Sequence, residues 1–107
     1  MSNTIVIFRK WRSGDKAVVA LFPEVPAELF KPYCTSYEHM GQHGSADPHF
    51  VVMHTRLAKP AEYAELKREL ERLGYTLKVC KKLTPRMHEN LLDVQGGYRD
   101  EANSMEK

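Results

Sequence analysis

The feature that constrains this chain most is a pair of short stretches, Ile5–Phe8 and Ala17–Phe22, that are apolar at every position. β-Branched and aromatic residues favour extended backbone, so residues 4–8 and 16–22 read as strands. An extended strand sends successive side chains to opposite faces. Ile5 and Ile7 therefore oppose Val6 and Phe8, and Val19 and Leu21 oppose Ala20 and Phe22. Strands apolar on both faces are usually covered on both faces. Between the two lies Arg12-Ser13-Gly14-Asp15, turn chemistry in which Gly14 supplies a positive φ, and a β-hairpin is expected. A chain of 107 residues has few elements left to cover such a hairpin. Either its own helices cover one face and its loops the other, or a second copy does. A homodimer is therefore one outcome of this pattern.

Residues 23–32 carry Pro23, Pro26 and Pro32 and read as an irregular crossover, with Leu29 and Phe30 returning to the core. Residues 33–40 read as a third strand, with Tyr33, Thr35, Tyr37 and His39 on one face and Cys34, Ser36, Glu38 and Met40 on the other. The glycine-containing stretch 41–47 reads as a loop. Asp47-Pro48 then signals a helix start, with aspartate as N-cap and proline in the first turn. A short helix over 48–55 is favoured, with strand as the alternative because Val51 and Val52 are β-branched. Pro60 opens the clearest helix. Tyr63, Leu66, Leu70 and Leu73 share one face, and Glu65 with Arg68 and Glu69 with Arg72 are spaced to pair outside. Gly74 closes it, and Tyr75–Lys82 reads as the last strand, with Leu77 and Val79 inward.

Thr84-Pro85 breaks that strand, one or two helical turns follow over 86–92, and a disordered tail is expected over 93–107. The order β-β-β-α-α-β describes one α+β domain over residues 1–92. Its sheet is four-stranded and mainly antiparallel, with helices mostly on one face.

Composition narrows the function classes. With 42% hydrophobic and 28% charged residues the chain is neither disordered nor collagen-like. Two cysteines, Cys34 and Cys80, do not make a disulfide scaffold. No signal-peptide pattern opens the sequence and no apolar run is long enough to span a bilayer, so a cytoplasmic protein with reduced thiols and no membrane partner is expected.

Polar chemistry concentrates in residues 33–54, which hold His39, His43, His49 and His54, four of the five histidines. Imidazole is the commonest metal ligand, but Cys34-x4-His39-x3-His43 matches no standard zinc spacing, and a bound metal is left unassigned. Cys34 with His39 or His43, oriented by Asp47, supplies the residue types of a cysteine nucleophile. No phosphate-binding glycine motif, serine elbow or zinc-protease motif is present. The preferred reading is a ligand-binding face of Tyr37, His39, Gln42, His43 and Asp47, combining flat phenol rings with hydrogen-bonding groups.

A second constellation is basic. Arg9, Lys10, Arg12 and Lys16 lie around the hairpin end, and Lys78 and Lys82 lie on the last strand, with Trp11 among them. If that strand pairs with the first, these cations share one side of the sheet and suit contact with nucleic acid. Cations on edge strands also serve simply to prevent sheet-to-sheet association.

The run Ile5–Trp11, the segment Ser36–Gly44 and the helix Pro60–Tyr75 together resemble a group of small bacterial proteins of no assigned activity, some of them carried on mobile elements. The resemblance covers roughly residues 4–83 and implies a compact bacterial domain, with no catalytic residue or cofactor to carry over. Three function classes follow: a small binding or regulatory domain, a nucleic-acid-binding accessory protein, and a small metal- or cysteine-dependent enzyme.

Overall fold

A computed structural model describes residues 3–14, 17–27, 33–38 and 42–106, with side chains up to Gln95 apart from that of Gln42. The elements in chain order are β1 (Thr4–Trp11), β2 (Val18–Pro26), β3 (Cys34–Glu38), β4 (Gln42–Ala46), α1 (Pro48–His54), β5 (Thr55–Leu57), α2 (Pro60–Arg72), β6 (Leu77–Val79) and α3 (Pro85–Glu106). The fold is α+β, and the sheet is mainly antiparallel. Among the described residues it has six strands rather than four, in the order β4-β3-β2-β1-β5, with β6 also on β1.

The β1–β2 hairpin is as expected, with Ile7 opposite Leu21 and Arg9 opposite Val19. Both of its faces are buried. On one face Val6, Phe8, Ala20, Phe22 and Tyr37 form a cluster with Leu66 and Leu70 of α2. On the other, Ile7, Val19, Leu21 and Cys34 pack with Val51 of α1 and with Met87 and Leu91 of α3. Helices therefore cover both faces, not mostly one. The difference comes from α3, whose Met87, Leu91 and Gln95 recur every fourth residue and form one buried stripe. The burial demand that raised a homodimer is met within the chain. Each fully buried leucine contributes about 1.5–3 kcal/mol to this arrangement.

Three further differences have local causes. β2 continues through Pro23–Pro26 instead of giving way to a crossover there. The prolines lack a ladder donor, and the register with β3 shifts between Phe22 and Pro26. Leu29, Phe30 and Pro32 lie outside the described residues. The expected loop at 42–46 is β4, paired antiparallel to β3 with Tyr37 opposite His43 and Ser36 opposite Gly44. A Cβ on Gly44 would sit 3.3 Å from Ser36 Oγ, so glycine suits the close approach here. β5 was hidden by its brevity. It begins where α1 ends, at Thr55 with φ −131°, and pairs antiparallel with β1 over Arg9–Trp11.

The helix signals at Asp47-Pro48 and Pro60 hold. Asp47 accepts a 3.1 Å hydrogen bond from His49 N and caps α1. α2 ends at Gly74, with φ +106°, where Tyr75 N donates to Leu70 O and Gly74 N to Glu71 O. This is the double closure of a Schellman motif. Leu73, expected inward, is 57% exposed because α2 has already closed. A Cβ at Gly74 would meet nothing within 4 Å, so only its left-handed backbone opposes a larger residue. Gly74→Ala should destabilise by about 1–2 kcal/mol in urea denaturation.

α3 starts at Pro85 and is capped by Thr84, whose Oγ1 accepts from Met87 N at 3.2 Å. It runs past the one or two turns expected over 86–92. The Asn90 amide donates to the Glu24 carboxylate and ties α3 to β2. Among the described residues no helix is long and apolar enough to cross a membrane.

Candidate functional site

The sequence pointed to Tyr37, His39, Gln42, His43 and Asp47. The fold brings Tyr37 and His43 together as an opposed pair on β3 and β4, their rings edge to face with centroids 4.8 Å apart. Two residues not singled out join them. Tyr37 OH donates to Glu69 Oε1 of α2 at 2.9 Å. His43 Nε2 lies 2.9 Å from Tyr75 OH, just past α2. Tyr75 in turn stacks on Phe22, with centroids 5.0 Å apart. Two hydrogen-bonded pairs from four separate segments thus meet at one rim of the α2 face.

Tyr37 is only 2% exposed. Burial, and then the hydrogen bond to the Glu69 carboxylate, hold it protonated above the usual tyrosine range. His43 is exposed and borders two shallow concavities. One, of about 340 Å³, includes Pro26, Thr35 and Ser45; the other, of about 310 Å³, includes Leu73, Gly74 and Tyr75. Leu73 continues into a larger open concavity of about 750 Å³ with Glu65, Arg68, Glu69 and Arg72.

The other expected members go elsewhere. Asp47 caps α1, and His43 is separated from it by roughly 13 Å of extended chain, so the two do not converge. His39 and the side chain of Gln42 lie outside the described residues. Cys34 is fully buried on the α1/α3 face of the sheet, whereas His43 shares the α2 face with Tyr37. Burial, with Asp47 nearby, pushes the Cys34 thiol up to about 12, so it is neither exposed nor poised as a nucleophile. His54 lies against Phe50, and His49 against His88. Among the described residues no three histidine, cysteine or acidic side chains gather closely enough to hold a metal ion.

β6 does pair with β1, in parallel over Thr4–Val6. Three of the cations proposed for nucleic acid nevertheless have internal partners. Arg9 donates to Thr55 Oγ1 at 2.9 Å, Thr55 O at 2.8 Å and Val52 O at 3.2 Å. Arg12 donates to Thr55 O at 3.2 Å. Both guanidinium groups thus close the C-terminal end of α1, where carbonyls lack helical partners and the dipole is negative. Burial, with Arg12 close by, lowers the Arg9 pKa. Lys10 lies 2.8 Å from Glu62 Oε2. Lys78 and Lys82 are exposed and make no ion pair among the described residues. Lys16 lies outside those residues.

Glu62 joins three segments. It accepts both Arg56 Nη atoms at 2.8 and 2.6 Å, Lys10 Nζ at 2.8 Å and Lys59 N at 2.9 Å. Arg56 first, then Lys10, hold its carboxyl well below the usual range. A depressed folded-state pKa gives a contribution that is present above the unfolded carboxyl value of about 4.3 and lost as pH falls. Wild type should therefore lose more stability than Glu62→Gln between about pH 5 and pH 2, as read from urea midpoints.

Among the described residues the Tyr37–Glu69 and His43–Tyr75 pairs form the best-supported polar cluster. Compared with protein-family models, with curated proteins and with solved structures, the chain finds no match in any of the three.

Proposed function

We propose that this chain is a cytoplasmic binding domain for a small polar ligand, held at the His43–Tyr75 pair, with the buried Tyr37 and its partner Glu69 fixing the rim beside it. The observation that carries the proposal is the meeting of these four side chains, from β3, β4, α2 and the segment after α2, at one rim. Fixed phenol and imidazole groups beside open concavities supply the few oriented donors and acceptors that small-ligand sites use. Arg68 and Arg72 add cations at the adjoining concavity, and Glu65 an anion, which suits a zwitterion or a small phosphate. Two free cysteines are in keeping with a reducing compartment.

The test is a binding screen with inorganic phosphate, mononucleotides and amino acids. A true ligand should bind about tenfold more weakly to His43→Ala and to Tyr75→Phe. A ligand whose affinity neither substitution alters binds elsewhere and removes this site. The runner-up, nucleic-acid contact, rests on the exposed Lys78 and Lys82 and on Lys81 beside them. It requires oligonucleotide binding that weakens steeply with salt and with Lys78→Gln/Lys82→Gln.

A further inference from the structure

We infer that the notch between β5 and β6 is a second ligand site, one that takes a small aromatic carboxylate. β5 and β6 share one edge of β1 and run toward each other along it, β5 antiparallel over Arg9–Trp11 and β6 parallel over Thr4–Val6. Both chains must leave the edge where they meet. They do so just after Ala58 N bonds Phe8 O at 3.0 Å and Cys80 N bonds Val6 O at 2.9 Å. The exit of β5 into α2 and the exit of β6 toward Lys81 leave a cavity of about 210 Å³ between them.

Its lining is chemically one-sided. Phe8 and Tyr63, stacked at 4.3 Å, together with Ala58 and Val79, provide an apolar interior. Among the described residues the charged members of the lining are Lys59 and Lys81, and neither makes an ion pair there. An apolar cavity of about 150 Å³ accepts a benzene ring, so this one has room for a single ring with a short substituent. Two cations and no anion select a negative substituent. A ring bearing a carboxylate meets both demands. The site shares no residue with the His43 cluster, so either can fail without the other.

The experiment is an amide-resolved NMR titration of the full chain with benzoate and, separately, with benzyl alcohol, its neutral counterpart. Benzoate should give saturable shifts at Ala58, Val79, Cys80 and Lys81, and benzyl alcohol should bind the same place more weakly. Lys59→Gln/Lys81→Gln should weaken benzoate about fivefold and leave benzyl alcohol unchanged. Both lysines are exposed, so this variant should keep the wild-type spectrum elsewhere. Val79→Trp, which fills the notch from a position 37% exposed, should abolish binding of both probes. The inference is overturned if benzoate does not saturate at these amides, if it shifts His43 and Tyr75 instead, or if the double variant binds it as well as wild type.

Discussion

Leu91→Ala should lower the free energy of unfolding by about 2–5 kcal/mol, the range for a leucine removed from a closed core. Leu91 has no exposed surface and packs, with Met87, against Ile7, Val19 and Leu21. Its neighbour Leu92 is 40% exposed on the outer side of the same helix, and Leu92→Ala should change stability by less than about 1 kcal/mol. The contrast between adjacent leucines tests whether α3 covers the second face of the sheet. Urea denaturation of the two variants reads it directly. Equal small effects would mean that α3 is not docked and that this face is covered by something else.

The second large effect belongs to Arg9. Arg9→Met should destabilise by about 1–3 kcal/mol, because it strips a charged donor from Thr55 Oγ1 and from the carbonyls of Thr55 and Val52. Thr55 is fully buried, and its hydroxyl also donates to Val51 O at 2.5 Å, so the loss falls on the junction between α1 and β5. An arginine kept for phosphate contact behaves differently, since its removal leaves thermal stability almost unchanged and weakens oligonucleotide binding. Lys78→Gln is the internal comparison, an exposed cation whose replacement should stay within about 0.5 kcal/mol of wild type. Matching stability losses for the two variants would contradict the structural role of Arg9.

How much of this was legible depends on where each element gets its stability. The hairpin, α1 and α2 announce themselves locally, through continuous apolar runs, Asp47-Pro48 and the spacing of Tyr63, Leu66 and Leu70. β4 does not, because Gln42-His43-Gly44-Ser45 has little strand propensity and is held by its pairing with β3. β5 is three residues long and exists only as a partner for β1. α3 was underestimated because the polar residues around Leu91 conceal the stripe that Gln95 continues. Without that stripe the sequence places the helices mostly on one face, although strands apolar on both faces call for two covers.

The site divides in the same way. Tyr37 and His43 were visible because they lie in the densest run of functional groups. Tyr75 and Glu69 were not, because each reaches the site through the packing of α2. The spacing predicts Glu69 beside Arg72 on the outside of α2, and its carboxylate also accepts the Tyr37 hydroxyl. Asp47 carries both readings in the sequence, N-cap and ligand-facing carboxylate, and the structure uses it as the N-cap of α1.

Binding of a small polar ligand at this rim is open to direct observation. The most direct measurement is an amide-resolved map of the wild-type chain as inorganic phosphate, a mononucleotide and an amino acid are added in turn. At least one of them should give saturable shifts confined to residues 42–46, residues 73–75 and the last turn of α2, and these shifts should be lost in His43→Ala. A rim that no probe perturbs, or saturable shifts there that survive in His43→Ala, would contradict it.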